Sequence, residues 1–451
     1  MKALENHRPL ELADRMLLAW QDAGLGEMVI PIVLEFESPL DETRLVEALQ
    51  RLFQAHPLLA CRVARQSRQP WYEPAVEHAR DAFTLTDSEE ESRRFLQAPI
   101  RLDEEPQLRA CLRRGDRRNR LILRVAHTLA DAGGVKEIAY DLALIYRRLR
   151  EDPSFRLPSD VHGSRSFGQA LRRVPWTVWL RVFGLWLRSV RRGLIPFATH
   201  TLQLPAGSRG PLEYLVVGLS RSRIEKLKAY GRARQATLND IVVAALYRAL
   251  QEEHPWDGKT GLRVQTTVDL RRWYLENGRP EAICNLSSFE YPYLARSPGS
   301  DFETTLARIS ALTRRFKRGG IGLASFFLSV FFATRSYDRL RKRMEKLIHN
   351  PRLIVNLPPT LTNLGPIAME NLRFDAPPRN AYLLCPPFYP PAVGMGVSGY
   401  NGALTLSVGM PSAARPTFES LFRRLVAELP GEESEAEEAS IGRSAFSDTL
   451  P

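Results

Sequence analysis

RLILRVAHTLADAGG, residues 120–134, is the stretch on which the reading of the fold turns. Residues 121–126, Leu-Ile-Leu-Arg-Val-Ala, are a mainly apolar run of strand length that stops at His127 and read as a buried strand. Asp131 stands four residues on, and Gly133-Gly134 are read as the turn that ends the extended run before a helix over 135–148. An imidazole at the mouth of a strand can take up a proton near neutrality, because its unperturbed pKa is about 6.5. A carboxylate at i+4 can steady the loop that aims it. The spacing points to a general-base arrangement of His127 and Asp131. It also allows a structural reading, a partly buried loop histidine with Asp131 capping the next helix.

The pattern H-x-x-x-D after a strand resembles the active-site signature of a large acyltransferase superfamily. Its members include chloramphenicol acetyltransferase, peptide-synthetase condensation domains, alcohol acyltransferases and bacterial wax ester synthase/diacylglycerol acyltransferases. The resemblance extends along the chain. LVEALQRLFQAHPLLACRV, residues 45–63, is similar to the opening helix and strand of those families. "TLND" at 237–240, ahead of an apolar helix to 250, resembles the start of their second half, and Val268-Asp269-Leu270-Arg271, followed by Asn285, resembles another of their elements. Thr362-Asn363-Leu364-Gly365 resembles their S-N-x-G element. The chain departs from the pattern at Ala126, where a second His is common, at Ala132, where Gly is usual, at Leu59-Ala60 in place of Leu-Arg, and at Cys284 in place of Gly.

The resemblance implies an α/β (α+β) fold of two chloramphenicol-acetyltransferase-like halves. Each is a mostly antiparallel sheet with helices, and an active-site tunnel lies between them. The halves are expected over 1–202, carrying HTLAD, and over 213–430, with a linker at 203–212 and an acidic disordered tail at 431–451. His127 would act as general base in moving an acyl group from a thioester, acyl-CoA or acyl-phosphopantetheine on an acyl carrier protein, to a lipid-like hydroxyl. The alternatives are an amide-forming condensation-type enzyme with an amine acceptor and a non-catalytic binding module of the same fold. Arg271 is the expected salt-bridge partner of Asp131, with Arg272 and Arg62 as fallbacks. Asn239, Asn285, Thr362 and Asn363 are expected to line the tunnel, Asn363 also being the candidate to stabilise an oxyanion. Neither a metal nor a permanently bound cofactor is called for.

Composition sets the frame for that reading. With 451 residues, 44% of them hydrophobic and 25% charged, the chain can bury more than one core and has the balance of a soluble globular protein. It has no apolar run of about 18 residues, and its N-terminal 20 residues, studded with Glu, Arg, His and Asp, are not signal-like, so a cytoplasmic location is expected, with peripheral membrane contact left open; the chain is expected to be a monomer. Cys61, Cys111, Cys284 and Cys385 form no C-x-x-C pair and read as buried thiols. The net charge of +12 is uneven: 431–451 holds six acids against Arg443, a net of −5, which leaves +17 on the remainder. A basic body suits nucleic acid, coenzyme A, an acidic carrier or an anionic membrane, and the lack of zinc-finger spacing, an RNP-like strand or a heptad-linked basic region puts nucleic acid last, so no nucleic-acid partner is expected.

Other elements follow from local patterning. A strand over 29–36 precedes an amphipathic helix over 40–55, and His56 before Pro57 reads as a helix-end residue. Within 164–199, Trp179, Phe183, Trp186 and Val190 are expected on one helical face with Arg181, Arg188 and Arg192 on another, the pattern of an interfacial membrane helix or of a helix packed between halves. Ser220 caps a helix after a strand at 214–219, and Thr237 with Asp240 makes a second capping signature. A strand is expected over 262–268. Residues 319–333 are apolar throughout between basic clusters, too short to span a bilayer and suited to a core, tunnel or lipid-facing segment. Asn401-Gly402 signals a type I′ hairpin within 394–409, and 416–429 reads as a last helix.

Overall fold

A computed structural model describes residues 8–65, 69–115, 118–191, 202, 204, 210–253, 261, 263–275, 278–294, 297–325, 336–348 and 357–431. The strand expected at 121–126 is Asn119–Ala126, buried along its whole length because it is the middle of a five-stranded sheet. The order in that sheet is Asn380–Leu383, Val29–Phe36, Asn119–Ala126, Leu108–Arg113, Phe83–Thr86, antiparallel except for the last pair. One face carries Ile32, Leu34, Leu121 and Leu123. They pack beneath the helices Glu42–Ala55 and Ala132–Leu149, whose Leu45, Leu49, Leu52, Val135, Ile138 and Leu142 complete a single core.

The second sheet has six strands, ordered Ser287–Glu290, Gln265–Asp269, Thr360–Ile367, Gly394–Tyr400, Ala403–Pro411, Leu212–Leu219. Its two central pairings are parallel and the outer three antiparallel. The helices Leu238–Glu253 and Arg415–Ala427 cover it with a second core. Both residues of the expected hairpin turn have positive φ, Asn401 at 46° and Gly402 at 84°, as a type I′ turn requires. A small third sheet joins Arg8–Pro9, Trp71–Pro74 and Cys61–Ala64.

The expected boundary at 203–212 does not separate the sheets. Asn380–Leu383, from the second half of the chain, pairs with Val29–Phe36 of the first sheet. Tyr382 and Leu384 then join Val33, Ile122, Tyr214 and Val216 in a cluster that welds the halves together. Of the expected linker, residues 203 and 205–209 lie outside the described residues, as do 432–451 of the acidic tail. All four cysteines are buried and unpaired in disulfides.

Two helical expectations need correction. Gly133-Gly134 do not make the turn, which falls at 127–129; the helix already begins at Ala132, because the Asp131 side chain accepts from Gly134 N at 3.0 Å and caps it. In 164–199 the chain forms Gly168–Leu171 and Trp176–Arg191, and the phase differs from the expected one. Val182 is buried against Val174 and Leu323, with Val178 and Trp179 packed beside them, so the outward stripe is Trp176, Leu180 and Phe183. The side chains of Trp186 and Val190 lie outside the described residues. The strand expected at 262–268 is shifted to Gln265–Asp269, and of 319–333 only 319–325 are described.

Candidate active site

The loop that follows Asn119–Ala126 is set by its carbonyl groups. His127 N donates to Met28 O at 2.7 Å, which continues the ladder one residue past the strand. His127 O then accepts from Asn285 Nδ2 at 3.0 Å, Thr128 O from Tyr72 Oη at 2.9 Å, and Leu129 O from Arg165 Nη2 at 2.9 Å. Thr128 Oγ1 donates to Gln107 Oε1 at 2.9 Å. Three successive carbonyls are thus held by three side chains from distant parts of the chain.

Those side chains are held in turn by Asp14. Its carboxylate lies 2.8 Å from Arg165 Nη1, accepts from Asn285 Nδ2 at 2.9 Å and stands 3.3 Å from Tyr72 Oη, whose single proton it can only share with Thr128 O. Arg165 also donates to Ile283 O at 2.9 Å. A buried ion pair needs further hydrogen bonds to offset its desolvation, and here several of them come from the backbone of the His127 loop. Local patterning singles out none of Asp14, Tyr72, Gln107 and Arg165; each looks ordinary, and only the tertiary fold brings them together.

The imidazole has a defined tautomer. Its Nδ1 lies 3.0 Å from Ala130 O, and a carbonyl can only accept, so Nδ1 carries the proton and Nε2 presents a lone pair. Burial holds the His127 imidazole below its ordinary pKa; the Asp131 carboxylate and the surrounding hydrogen bonds offset this only in part. The ring is therefore neutral at pH 7. Proton on one nitrogen, lone pair on the other and a pinned loop form the arrangement of a general base.

Asp131 is committed to other partners. It is 1% exposed, and its Oδ2 lies 2.8 Å from Arg271 Nη1 while accepting from Leu286 N at 2.7 Å and Ser287 Oγ at 2.9 Å. Burial alone would raise its pKa, but the Arg271 guanidinium and the backbone hydrogen bonds hold it below the usual carboxylate range. Arg271, 3% exposed, also donates to Cys284 O at 2.7 Å. Gly133 is where this clamp is tightest: a Cβ there would stand 2.8 Å from Arg271 Nη1. Arg62 pairs instead with Glu73 at 2.8 Å, and Arg272 is exposed.

The other candidate residues divide. Asn285 belongs to the His127 network. Thr362, Asn363 and Asn239 form a separate one, in which Thr267 Oγ1 lies 2.9 Å from Thr362 Oγ1 and Asn363 Nδ2 donates to Asn239 Oδ1 at 3.1 Å. None of these hydrogen bonds reaches His127. Lys136, on the helix that follows Asp131, ties the two regions by donating to Leu364 O at 3.0 Å. His56 caps its helix between two carboxylates, Nδ1 2.9 Å from Asp160 Oδ2 and Nε2 3.0 Å from Asp141 Oδ2, so both ring nitrogens donate. Although burial opposes its charge, these partners raise its pKa to about 9. It is an imidazolium of the scaffold. Among the described residues no group of three or more His, Cys, Asp or Glu side chains is placed to hold a metal ion.

Comparison with known proteins agrees with this architecture. Residues 19–174 match the family model of the condensation domain. No curated protein sequence matches the chain. Among solved structures, the first condensation domain of the calcium-dependent antibiotic synthetase, in complex with a substrate analogue, is 19% identical with a TM-score of 0.67, the match covering 98% of each chain. Polyketide synthase associated protein 5 from Mycobacterium tuberculosis is 17% identical with a TM-score of 0.62 over 93% of this chain and 97% of that one. A trichothecene 15-O-acetyltransferase from Fusarium sporotrichioides is 13% identical with a TM-score of 0.65 over 94% and 95%. The resemblance read from the sequence is borne out, and the fold is the mixed α/β fold of condensation domains and this acetyltransferase.

Proposed function

We propose that this chain, whose fold is that of condensation domains, is an acyltransferase that moves an acyl group from a thioester to a hydroxyl acceptor. The observation that carries the reading is the His127 tautomer: Nδ1–H is committed to Ala130 O, which leaves Nε2 as a neutral base at the junction of the two halves. The acceptor O–H gives its proton to Nε2 while its oxygen attacks the thioester carbonyl. The tetrahedral adduct collapses with cleavage of the C–S bond, and the proton on Nε2 passes to the departing thiolate. General-base assistance of this kind contributes about 10² to 10⁴ in rate. Asp131 takes no proton; its role is to lock the loop through Arg271.

The donor is acyl-CoA or an acyl group on the phosphopantetheine of a carrier protein, in keeping with the basic charge of the chain. The acceptor is a lipid-like alcohol, a reading supported by the apolar segment at 319–325 and the exposed apolar stripe beside it. An amine acceptor is the second reading, favoured by the condensation-domain match; the same lone pair would deprotonate it. Incubating the purified chain with a panel of acyl-CoAs and long-chain alcohols or amines, following free thiol and the ester or amide product, tests both. Thiol release coupled to ester supports the first reading and coupling to amide the second. Release coupled to neither product, or no release with any donor including acyl carrier protein, removes the transferase reading.

A further inference from the structure

The positive charge of this chain is gathered in two stretches of sequence that hold no acid of their own, although Arg165 in the first pairs with Asp14 elsewhere. Residues 161–212 carry eight arginines and no carboxylate, and residues 304–337 carry five arginines and a lysine, again with no carboxylate. The fold packs these two stretches together: a Cβ at Gly320 would meet Val178 at 2.7 Å and Val182 at 3.2 Å, both on the helix Trp176–Arg191, and Leu323 is buried in the same cluster. The opposite face of that helix turns outward. Trp176, Leu180 and Phe183, at i, i+4 and i+7, are 72%, 61% and 56% exposed. They are the largest apolar exposures among the described residues, and they form one stripe.

The stripe is edged by exposed cations. Arg172 and Arg173 precede the helix and Arg181 lies on its flank. Lys317 and Arg318 end the helix Phe302–Arg318 just before Gly320. We propose that this face is a docking surface for an anionic lipid bilayer. Indole and phenyl rings with leucine favour the headgroup boundary, and flanking arginines favour anionic headgroups. Charge of one sign around an apolar stripe fits an anionic lipid surface, and among the described residues no helix is long and apolar enough to cross the membrane. The surface therefore lies on the bilayer.

It also lies one layer from the Asp131 clamp. A Cβ at Gly322 would come within 3.0 Å of Leu270 and 3.3 Å of Ser288, the neighbours of Arg271 and Ser287, and Ser288 Oγ donates to Gly322 O at 2.6 Å. Docking would bring a sparingly soluble acceptor to that side of the molecule. This deepens the lipid-acceptor reading, but vesicle binding needs no substrate, so its failure would leave the transfer reading untouched.

The test is sedimentation of the full chain with vesicles of phosphatidylglycerol and phosphatidylcholine, and with phosphatidylcholine alone, at low and high salt. Binding is expected to the anionic vesicles at low salt and to weaken as salt screens it. Replacing Trp176, Leu180 and Phe183 together by serine should lower the bound fraction about tenfold or more with the melting temperature unchanged. A second variant with Arg172→Gln, Arg181→Gln, Lys317→Gln and Arg318→Gln should abolish the preference for anionic lipid. No sedimentation of the parent chain, or undiminished sedimentation of the serine variant, overturns the proposal. So does binding of an acidic carrier protein, lost in the serine variant, without binding to vesicles.

Discussion

Gly133 shows how little room the site leaves. Its backbone φ is not left-handed, so conformational freedom is not the reason for glycine there; the Arg271 guanidinium occupies the space a Cβ would need. Gly133→Ala should therefore push Arg271 off Asp131, cost about 1–3 kcal/mol as overpacking does, and lower turnover. The thermal midpoint and kcat, measured together, check this. Asp131→Asn is harsher, since it leaves Arg271 buried without its carboxylate, a loss of about 3–5 kcal/mol for a broken buried pair. An unchanged denaturation midpoint in Asp131→Asn would show that Ser287 and the backbone hold the loop without the charge. The burial that lowers the His127 pKa sets a pH dependence too. With a transferable substrate, kcat/KM should rise with pH through a midpoint below 6.5 as the imidazole loses its proton.

Among the elements, His56 joins the end of Glu42–Ala55 to Asp141 on Ala132–Leu149 and to Asp160. Its pKa is about 9 in the folded chain against about 6.5 unfolded. A raised pKa means that the stabilisation is complete below about 6.5 and is lost as pH climbs through about 9, up to about 3 kcal/mol in all. Urea midpoints between pH 6 and 9.5 should fall over that window in the parent chain, and the fall should be shallower in His56→Gln. The sequence made Asn119–Ala126 legible because a mainly apolar strand, broken only by Arg124 after Arg120, has no other easy place, and it offered His127 and Asp131 because they are four residues apart. It misplaced the phase of Trp176–Arg191 because Trp, Leu, Val and Phe occur on every side of that helix. The choice of buried face is made by Gly320 and Leu323, more than a hundred residues away. It was silent on Asp14, Tyr72 and Arg165 for the same reason.

At the scale of the molecule, the site exists because two sheets share it. The first supplies His127 and Asp131 at the end of its central strand, and the second supplies Arg271, Asn285, Leu286 and Ser287 at the end of Gln265–Asp269 and the start of Ser287–Glu290. Asn380–Leu383, crossing into the first sheet, fixes one sheet against the other. A clean two-half division, natural from chain order, misses that crossover, because strand pairing between remote segments leaves no local trace. The central claim is that this junction aims a neutral His127 Nε2 at an acceptor, and His127→Ala tests it most directly in the thiol-release assay, with melting recorded alongside. The account predicts an unchanged melting temperature and a loss of turnover of about 10² to 10⁴. Turnover equal to that of the parent chain, at the same melting temperature, would contradict it.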